Sequence, residues 1–500
     1  MQKLGRRAVV VFLGACLCAP AGAVGAGRAD ARQLTGPIGV ALTGPARPVT
    51  PTLLGLNGVN VTGPPWNDQA FDAVLSTFAP GVIRYPGGTV ANYWSWRSGW
   101  FQPGHWPGEP AQKVNDSVPV FAAAIRAAAA VPLFDLNTVT YNGAVGSAAE
   151  NTVMLGQQMK LLKAASAHGL PVRMVELGNE LYLNGYSNSP PNPHQHDYAD
   201  RFPTAADYAN QMNPWIAAIH SAFPGAQVAA VGADANDVPG LSQRRATWNA
   251  GILPLLVGED AVTLHENLRV FDATAAPAVV LAEPYLHFQQ VKAHELALFK
   301  SYHLPVWITE FNMGDLTPGR VFRGTWLHGL FVAEEALLFL ADPAITHVDL
   351  NSTVGSAHFA PIFSNAHGFG KSGPPTVPLA LSAAGNTLAV IQAAFHRSAR
   401  AQALAFSPSP ALGKTGAPAL LGEALTTGSG TELVLVNLSA RRLTLNLSAV
   451  LSGPCTATQI TAPSTTTQVT GPGSLESSTS SANGSLTVGP YALTDVKASG

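Results

Sequence analysis

Cysteine is scarce in this sequence, which has three cysteines among 500 residues. Cys16 and Cys18 lie in the amino-terminal segment, and Cys455 lies far from both. Removal of that segment, predicted below, leaves Cys455 alone. This excludes a disulfide framework and a C-x-x-C metal or redox site. The folded chain must therefore depend on its hydrophobic core for stability.

Charged residues are also few. Asp, Glu, Lys and Arg make up 12% of the chain, hydrophobic residues make up 47%, and the net charge is −2. The basic clusters are short pairs such as Arg244-Arg245 and Arg441-Arg442. This composition excludes global disorder and provides no basic surface for nucleic acid or an anionic membrane. We therefore predict a globular protein with no nucleic-acid partner.

The sequence has no hydrophobic run long enough to span a membrane. Residues 1–7 are basic, residues 8–18 are apolar, and residues 21–23 are small. This pattern predicts a signal peptide at residues 1–23 and a secreted or periplasmic protein. The motif Leu13-Gly14-Ala15-Cys16 allows an alternative, a lipoprotein anchored at the cell envelope through a lipid on Cys16.

Strand-like and helix-like patterns alternate eight times between residues 53 and 396. The strand candidates are short, continuously apolar runs, as expected for parallel strands that are covered on both faces. They comprise residues 53–61, 81–85, 131–139, 172–177, 227–231, 261–264, 306–309 and 347–350. Eight strand–helix units in one direction predict a (β/α)8 barrel over residues 53–396.

The pattern changes after about residue 397. Residues 431–437 and 442–447 alternate apolar and polar side chains, which is typical of half-buried antiparallel strands. We predict a β-sandwich over residues 397–500, joined by a strand from residues 33–52. Residues 464–485 are rich in Ser, Thr and Gly and are predicted to form a loop. The predicted fold class is α/β, a (β/α)8 TIM barrel with a C-terminal antiparallel β-sandwich domain.

Two glutamates follow apolar runs at the ends of predicted strands. Glu180 follows the fourth strand and Glu310 ends the seventh. A retaining glycosidase needs two such carboxyl groups about 5–5.5 Å apart, one to protonate the leaving oxygen and one to attack the sugar. A single strand-end glutamate is more often a surface cap. Two of them, with Asn179 directly before Glu180, favour a catalytic pair.

Other polar residues fall at the same end of the predicted strands, where barrel enzymes place their sites. The strand-end residues are Asn57, Arg84, Asn137, Glu180, Asp234, His265, Glu310 and Asn351. From them we select Arg84, Asn137 and His265 as substrate-binding candidates. The alternatives are a structural ion pair for Arg84 and a satisfied core histidine for His265.

Aromatic residues are dense in the loops that should surround this site, and their rings provide large contact areas for sugars. They are Tyr93, Trp94, Trp96, Trp100 and Trp106 after the second strand, and Tyr182 and Tyr186 after the fourth. We select Trp94 and Tyr182 as substrate-binding candidates. The alternative is that most of these rings hold a long loop in place.

The stretch Gly178-Asn179-Glu180, together with Glu310, resembles the retaining glycoside hydrolases of clan A. The resemblance implies that Glu180 is the acid/base, that Asn179 binds the sugar 2-hydroxyl group and that Glu310 is the nucleophile. It covers roughly residues 35–500 and implies a barrel joined to a sandwich.

Two families of this clan share further motifs with the chain. Arg84-Tyr85-Pro86-Gly87-Gly88 resembles the second strand of α-L-arabinofuranosidases. Gly87-Gly88-Thr89 and Phe134-Asp135-Leu136-Asn137 resemble the heparanase and β-glucuronidase family. The chain departs from the arabinofuranosidases at Thr89, where an asparagine is expected, and at Thr309, where an acidic residue is expected.

We therefore predict an exported retaining glycoside hydrolase that acts on a carbohydrate by double displacement. It is either an α-L-arabinofuranosidase or a β-glucuronidase/heparanase-like enzyme. No metal or organic cofactor is predicted, because two carboxylates and a water suffice. We expect burial and ionised Glu310 to raise the pKa of Glu180, which must carry a proton at working pH. The alternative class is a non-catalytic carbohydrate-binding protein on a glycosidase scaffold.

Some residues carry weaker signals. His194 and His196 lack the other ligands of a metal site. Anionic sugars need a cation near their carboxylate, for which Arg320, Arg323 and Lys371 are candidates. The sequence leaves the sugar, the linkage, endo or exo action and the oligomeric state open.

Overall fold

Eight parallel strands close into a barrel. The structure, a computed structural model, describes residues 36–60, 63–64, 66–102, 116–186, 193–234, 242–355, 359–363 and 378–498. Each barrel strand pairs with the next around the ring, and the eighth pairs with the first. The strands are Leu54–Asn57, Val82–Tyr85, Val131–Asp135, Met174–Glu176, Gln227–Val231, Ala261–Val270, Val306–Asp315 and Ile345–Leu350. The predicted (β/α)8 barrel is confirmed.

A helix follows each barrel strand. The helices are Gln69–Phe78, Val118–Ala128, Asn151–Ala167, Ala205–Ala222, Gln243–Ile252, Glu283–Val291 (continued by Lys292–Leu296 and Ala297–Ser301), Trp326–Ala341 and Ala383–His396. Shorter elements lie in the loops: the helical turns Gly88–Tyr93, Ala148–Glu150, Asp197–Arg201 and Pro277–Val280, and the strand pairs Trp94–Ser95 with Trp100–Phe101 and Thr140–Tyr141 with Ala144–Val145. Among the described residues, no helix is long and apolar enough to cross a membrane.

The sixth and seventh barrel strands are longer than predicted. They remain paired beyond the barrel, as far as Val270 opposite Asp315. The prediction ended them at residues 264 and 309 because the continuous apolar run stops there. The register also shifts between Leu264 and His265, so that Leu264 pairs with Ile308 but His265 pairs with Glu310. This β-bulge leaves Thr309 as an extra residue, and bulges of this kind redirect side chains beside functional sites.

A second, mostly antiparallel sheet fits the predicted sandwich. Its ten strands are Ile38–Leu42, Arg47–Pro48, Ser398–Ser407, Leu420–Thr427, Gly430–Asn437, Leu443–Asn446, Pro454–Thr461, Glu476–Asn483, Ser485–Val488 and Ala492–Ala498. The amino-terminal strand Ile38–Leu42 lies between Ser398–Ser407 and Leu443–Asn446. A small three-stranded sheet is formed by Val354–Gly355, Ile362–Phe363 and Ala380–Leu381.

The loop predicted for residues 464–485 is wrong in its second half. Strand Glu476–Asn483 pairs along its whole length with Pro454–Thr461. It lies at one end of the strand order and is exposed over most of its length. Because neither of its faces is strongly apolar, the sequence shows no alternation that would indicate a strand.

The sheet and the barrel share one core. Helix Trp326–Ala341 is buried over nearly its whole length, on every face. The indole Nε1 of Trp326 donates to the carbonyl oxygen of Tyr491 at 2.7 Å, and the backbone N–H of Trp326 donates to the carbonyl oxygen of Thr467. A barrel helix with one face open to water would be amphipathic, so the burial of this helix on every face reflects the sheet that covers it.

The interior of the barrel changes character along the strands. One layer is apolar and consists of Val82, Leu133, Met174, Ala229, Ala261 and Trp307. Two residues further along three of these strands come Arg84, Asp135 and Glu176, all buried. Because side chains alternate across a strand with a period of two, the same inward-facing positions pass from apolar to charged. The charged layer forms the floor of the site described next.

Candidate active site

Glu180 and Glu310 lie on either side of one imidazole ring. The Nδ1 atom of His265 is 3.3 Å from Oε1 of Glu180 and 3.9 Å from Oε2 of Glu310. The two carboxylate oxygens therefore cannot be further apart than the sum of these distances. That bound is compatible with the ~5–5.5 Å separation of the carboxyl groups in retaining glycosidases.

Three side chains hold the carboxylate of Glu310. Asn57 Nδ2 and an Arg84 guanidinium nitrogen donate to Oε1 at 2.9 and 3.0 Å, and Asn351 Nδ2 donates to Oε2 at 2.9 Å. These donors come from the ends of the first, second and eighth strands. Glu310 is only 6% exposed. With both oxygens accepting N–H groups, the carboxylate is fixed in direction.

Arg84 is the centre of the charged layer and is fully buried. Beyond Glu310, its guanidinium lies 2.6 Å from Glu176, 2.9 Å from Asp135 and 3.0 Å from Oδ1 of Asn179. Burial lowers the pKa of Arg84, but Asp135, Glu176 and Glu310 outweigh burial and raise it. Arg84 is therefore a permanent cation that connects the fourth strand to Glu310, which unites the ion-pair and functional interpretations of this residue.

Glu180 is the more accessible of the two glutamates. Its side chain is 25% exposed, and its Oε1 accepts a hydrogen bond of 3.1 Å from the hydroxyl of Tyr182. Its backbone φ is +50°, directly after Gly178 and Asn179, with Gly178 at φ +94°. A non-glycine residue in this left-handed region carries a cost of about 1–2 kcal/mol. Such strain gathers at functional sites, where the surrounding structure maintains it.

The pKa of Glu180 differs from our expectation. Burial raises it, but contact with His265, the Tyr182 hydroxyl and the charge of Arg245 together lower it below its ordinary value. Burial also raises the pKa of Glu310, with Glu180 adding to the rise and His265 and Arg84 opposing it. Burial lowers the pKa of His265, but Glu310 and Glu180 outweigh burial and raise it to about 9. The expectation omitted His265 because its contacts depend on the bulge in the seventh strand.

A hydrogen-bonded chain determines which ring nitrogen of His265 faces the glutamates. The Thr309 hydroxyl donates to Oε1 of Glu176 at 3.2 Å. It has one hydrogen, so it must accept from Nε2 of His265, 3.2 Å away. Nε2 therefore always carries a proton, and only Nδ1, the atom between the two glutamates, exchanges one. Thr309, which departs from the arabinofuranosidase pattern, occupies the bulge that makes this chain possible.

Two glycines allow the backbone to pass close to this cluster. A Cβ atom on Gly87 would lie 2.0 Å from Oδ1 of Asn57, and one on Gly88 would lie 3.3 Å from Oε1 of Glu310. Both residues have positive φ, +80° and +66°. The glycine pair that carried the family resemblance is thus required by space as well as by conformation.

Six predicted site residues meet in this network: Glu180, Glu310, Asn179, Arg84, His265 and Tyr182. Asn137 and Trp94 lie beside it. Asn137 caps its own turn through Val139 and Thr140 and donates to the carbonyl oxygen of Trp94 at 3.0 Å. Trp94 is buried, and its indole Nε1 donates to the Tyr85 hydroxyl. Both residues line a separate cavity between the second and third loops.

The remaining candidates fall elsewhere. Nδ1 of His194 lies 2.8 Å from Asp197. The Arg323 guanidinium lies over the ring of Phe359 at 5.1 Å. The lipidation candidate Cys16, the predicted signal peptide, Trp106 and Lys371 lie outside the described residues.

Sequence reasoning did not select four residues that shape the site. Asn57 and Asn351 are both strand-end residues. Asn351 follows the eighth strand, which pairs with the seventh, and Asn57 ends the first strand, which pairs with the eighth. Asp135 and Glu176 stand within apolar strands, where an isolated carboxylate signals a buried partner. Which partner each one meets depends on the barrel's closure and is invisible in the sequence.

No protein-family model matches the chain, and no curated protein matches it in sequence. Solved structures do match its fold. A family 51 α-L-arabinofuranosidase from Bifidobacterium longum is 16% identical, covers 93% of this chain and 100% of its own, and has a TM-score of 0.67. The α-L-arabinofuranosidase from Thermotoga maritima is 15% identical over 92% and 99%, with a TM-score of 0.66. A 4-O-α-L-rhamnosyl-β-D-glucuronidase from Fusarium oxysporum is 14% identical over 92% and 100%, with a TM-score of 0.58.

These structures are glycoside hydrolases of clan A, the group that the sequence motifs resemble. The likeness extends over the barrel and the second sheet together, and it includes representatives of both activities named by the motifs. The resemblance predicted from the sequence is therefore confirmed at the level of the fold.

Proposed function

We propose that this protein is an exported retaining glycoside hydrolase. The observation that carries the proposal is the placement of Glu180 and Glu310 around His265 at the carboxyl end of a barrel shared with glycoside hydrolases. We also propose that residues 53–396 form the catalytic domain and that residues 33–52 and 397–500 form the sandwich.

Glu310 is the nucleophile in this proposal. Its carboxylate accepts donors on both oxygens, so a proton there would replace a favourable contact with a repulsive one. It attacks the anomeric carbon and forms a covalent glycosyl-enzyme. Asn179, held by Arg84, faces the sugar 2-hydroxyl group, as the resemblance implies.

Glu180 supplies the proton to the leaving oxygen. Its lowered pKa does not prevent this, because the proton has a second position nearby. The pair can hold one proton in two ways. Either Glu180 is protonated and His265 is neutral, or Glu180 is ionised and Nδ1 of His265 carries the proton. The net charge of the pair is the same in both states. The pKa of about 9 for His265 means that the pair retains one proton through neutral pH. Substrate binding then draws that proton to Glu180 as the leaving oxygen becomes basic.

His265 also serves the second step. Formation of the glycosyl-enzyme neutralises Glu310 and removes the strongest charge that holds a proton on His265. Glu180 then accepts a proton from the attacking water and can pass it to Nδ1. The 3.3 Å contact is longer than the ~2.7–2.9 Å of a strong charged hydrogen bond, and such contacts tighten in the substrate complex.

The test compares Glu310→Ala with Glu180→Ala. A panel of aryl glycosides (arabinofuranoside, glucuronide, xyloside and glucoside) first identifies the sugar, with arabinofuranoside and glucuronide expected to lead because the matching structures have these activities. Glu310→Ala should lose turnover of every substrate. Glu180→Ala should still react with a dinitrophenyl glycoside, and azide should accelerate its turnover and give a glycosyl azide of retained configuration. General acid–base assistance of roughly 10²–10⁴-fold makes the difference easy to measure.

The control is Glu283→Ala, an exposed glutamate at the start of a barrel helix, which should retain wild-type rates. A wild-type protein that binds glycans but hydrolyses none of the panel would favour the non-catalytic alternative. An inverted azide product from Glu180→Ala would exchange the two roles.

A further inference from the structure

A cavity lies between the loops that follow the second and third barrel strands. Its volume is about 150 Å³, which matches a cavity that holds one small ring. The lining includes Trp96, Arg97, Tyr141, Asn142, Gln157 and Gln158. We call it the loop pocket.

Part of the lining serves the loops themselves. The Gln102 side chain donates to the carbonyl oxygen of Thr140 at 3.1 Å and accepts from the backbone N–H of Gly143 at 2.9 Å. The Thr140 hydroxyl donates to the carbonyl oxygen of Asn92 at 2.8 Å. These bonds make a rigid wall, because each group is already engaged.

Two other polar groups form no hydrogen bond or ion pair within the described part of the chain. Oε1 of Gln157 is buried and has no hydrogen-bond partner among the residues that the structure describes. An unpaired buried acceptor costs about 1–3 kcal/mol, so it favours a ligand that brings a hydroxyl or N–H donor. The Arg97 guanidinium lies over the Trp96 ring at 5.0 Å, and within the described part of the chain it forms no ion pair.

The lining also limits the ligand chemically. No carboxylate is among the described residues that line the pocket, and Arg97 is its only charged group there. A metal ion or an aminated sugar would meet only a like charge. The pocket has aromatic side chains beside several amides, and its volume is about that of one small ring. It is therefore suited to a hydroxyl-rich ring that is either neutral or carries a carboxylate.

The pocket is joined to the catalytic cluster by a short path. Asn92, which accepts from Thr140 on the pocket side, donates through Nδ2 to the carbonyl oxygen of Asn179 at 2.8 Å. Its Oδ1 accepts from the backbone N–H of Asn179 at 3.2 Å. One residue therefore supports both the pocket wall and the residue before Glu180.

We propose that the loop pocket is an accessory sugar-binding site that holds one glycosyl unit of a glycan whose scissile bond lies at Glu180 and Glu310. The proposal rests on the proposed function and adds to it a substrate class: glycan chains of several units are preferred over small glycosides. Gln157 accepts a sugar hydroxyl group, and Trp96 with Tyr141 contacts the ring.

The test uses Trp96→Ala/Gln157→Ala, with Tyr302→Ala as the matched control. Tyr302 is 41% exposed and caps the C-terminal end of the helix that precedes the seventh strand, at the opposite end of the barrel. The double variant should keep wild-type kcat/KM on an aryl glycoside. On xylan oligosaccharides with arabinofuranosyl or glucuronyl branches it should lose about 5–10-fold, as expected for a lost hydrogen bond. Arg97→Ala should weaken only the glucuronyl arm if the bound ring carries a carboxylate.

A binding measurement separates this proposal from the proposed function. Calorimetric titration of Glu310→Ala with the same oligosaccharides reports the pocket without turnover, and adding the double substitution should weaken binding by the same factor. A second outcome is that wild type hydrolyses none of the substrates while the double substitution still weakens binding. That result would support the pocket proposal and refute the catalytic proposal. Equal kcat/KM and equal affinity in the double variant and its parent, on both oligosaccharides, would overturn the pocket.

Discussion

The apolar and charged layers inside the barrel come from the same strands and differ by two residues. Val82, Leu133 and Met174 belong to one layer, and Arg84, Asp135 and Glu176 follow them in the other. Inward positions of a barrel are commonly filled by branched apolar side chains in successive layers. This chain keeps that arrangement at one level and replaces it with ionisable groups at the next.

The two layers contribute to the stability of the fold in different ways. The apolar layer gains from burial without needing a particular partner. The charged layer is tolerable because Arg84 faces three carboxyl groups, and because burial raises the pKa of Asp135 well above its ordinary value and so opposes a third negative charge there. A site that holds a buried carboxylate in a fixed direction thus depends on compensation that the apolar layer does not require.

The largest expected effect is at Arg84. Arg84→Met keeps much of the side-chain volume but leaves Glu176 and Glu310 buried without their cation. Removing one partner of a buried ion pair costs about 3–5 kcal/mol, so the free energy of unfolding should fall by at least that amount. The control in the apolar layer, Met174→Leu, should cost less than about 1.5 kcal/mol. Urea unfolding measures both, and equal losses would remove the distinction between the layers.

Thr309→Val should have the next largest effect. The substitution keeps the shape but removes the hydroxyl that links Glu176 to His265. Each buried group left unpaired costs about 1–3 kcal/mol, and His265 becomes free to move its proton to Nδ1. We expect a loss of kcat with a changed pH profile. The control is Thr263→Val, which changes a buried threonine on the neighbouring sixth strand. It should leave the pH profile unchanged.

His265→Asn should change the pH dependence. The pKa of His265 is raised to about 9, so its stabilising contribution is complete below its ordinary value of 6.5 and is lost as pH rises through about 9. The difference in unfolding free energy between wild type and variant should therefore shrink over that range. The basic limb of kcat/KM should lie near pH 9 in wild type and at lower pH in the variant. An unchanged basic limb would show that Glu180 holds its proton alone.

The smallest effect is expected at Asp135. Burial raises the pKa of Asp135 well above its ordinary value, so in Asp135→Asn a neutral amide of similar shape should be able to take its place. The free energy of unfolding at pH 7 should change by less than about 1 kcal/mol, well below the effect of Arg84→Met. A loss as large as that of Arg84→Met would mean that Asp135 is ionised and that all three carboxyl groups need the cation.

The sequence predicted the barrel because its strands are apolar on both faces and its helices alternate with them. It predicted Glu180 and Glu310 because each ends such a run. It did not predict the pKa of Glu180, since His265 approaches only after Thr309 bulges out of register. Nor did it predict the partners of Glu176, because inward and outward positions look alike in a continuously apolar strand.

The strand Ile38–Leu42 gives the sheet an unusual order of assembly. Gly39 pairs with Ser407, and Ile38 pairs with Leu445. At a synthesis rate of about 5–20 residues per second, the nearer partner follows on the order of 20–70 s later. Through that interval the early strand is an open edge, able to pair with the wrong neighbour. The early strand is therefore protected from incorrect pairing only when the late-synthesised strands of the sheet have been made.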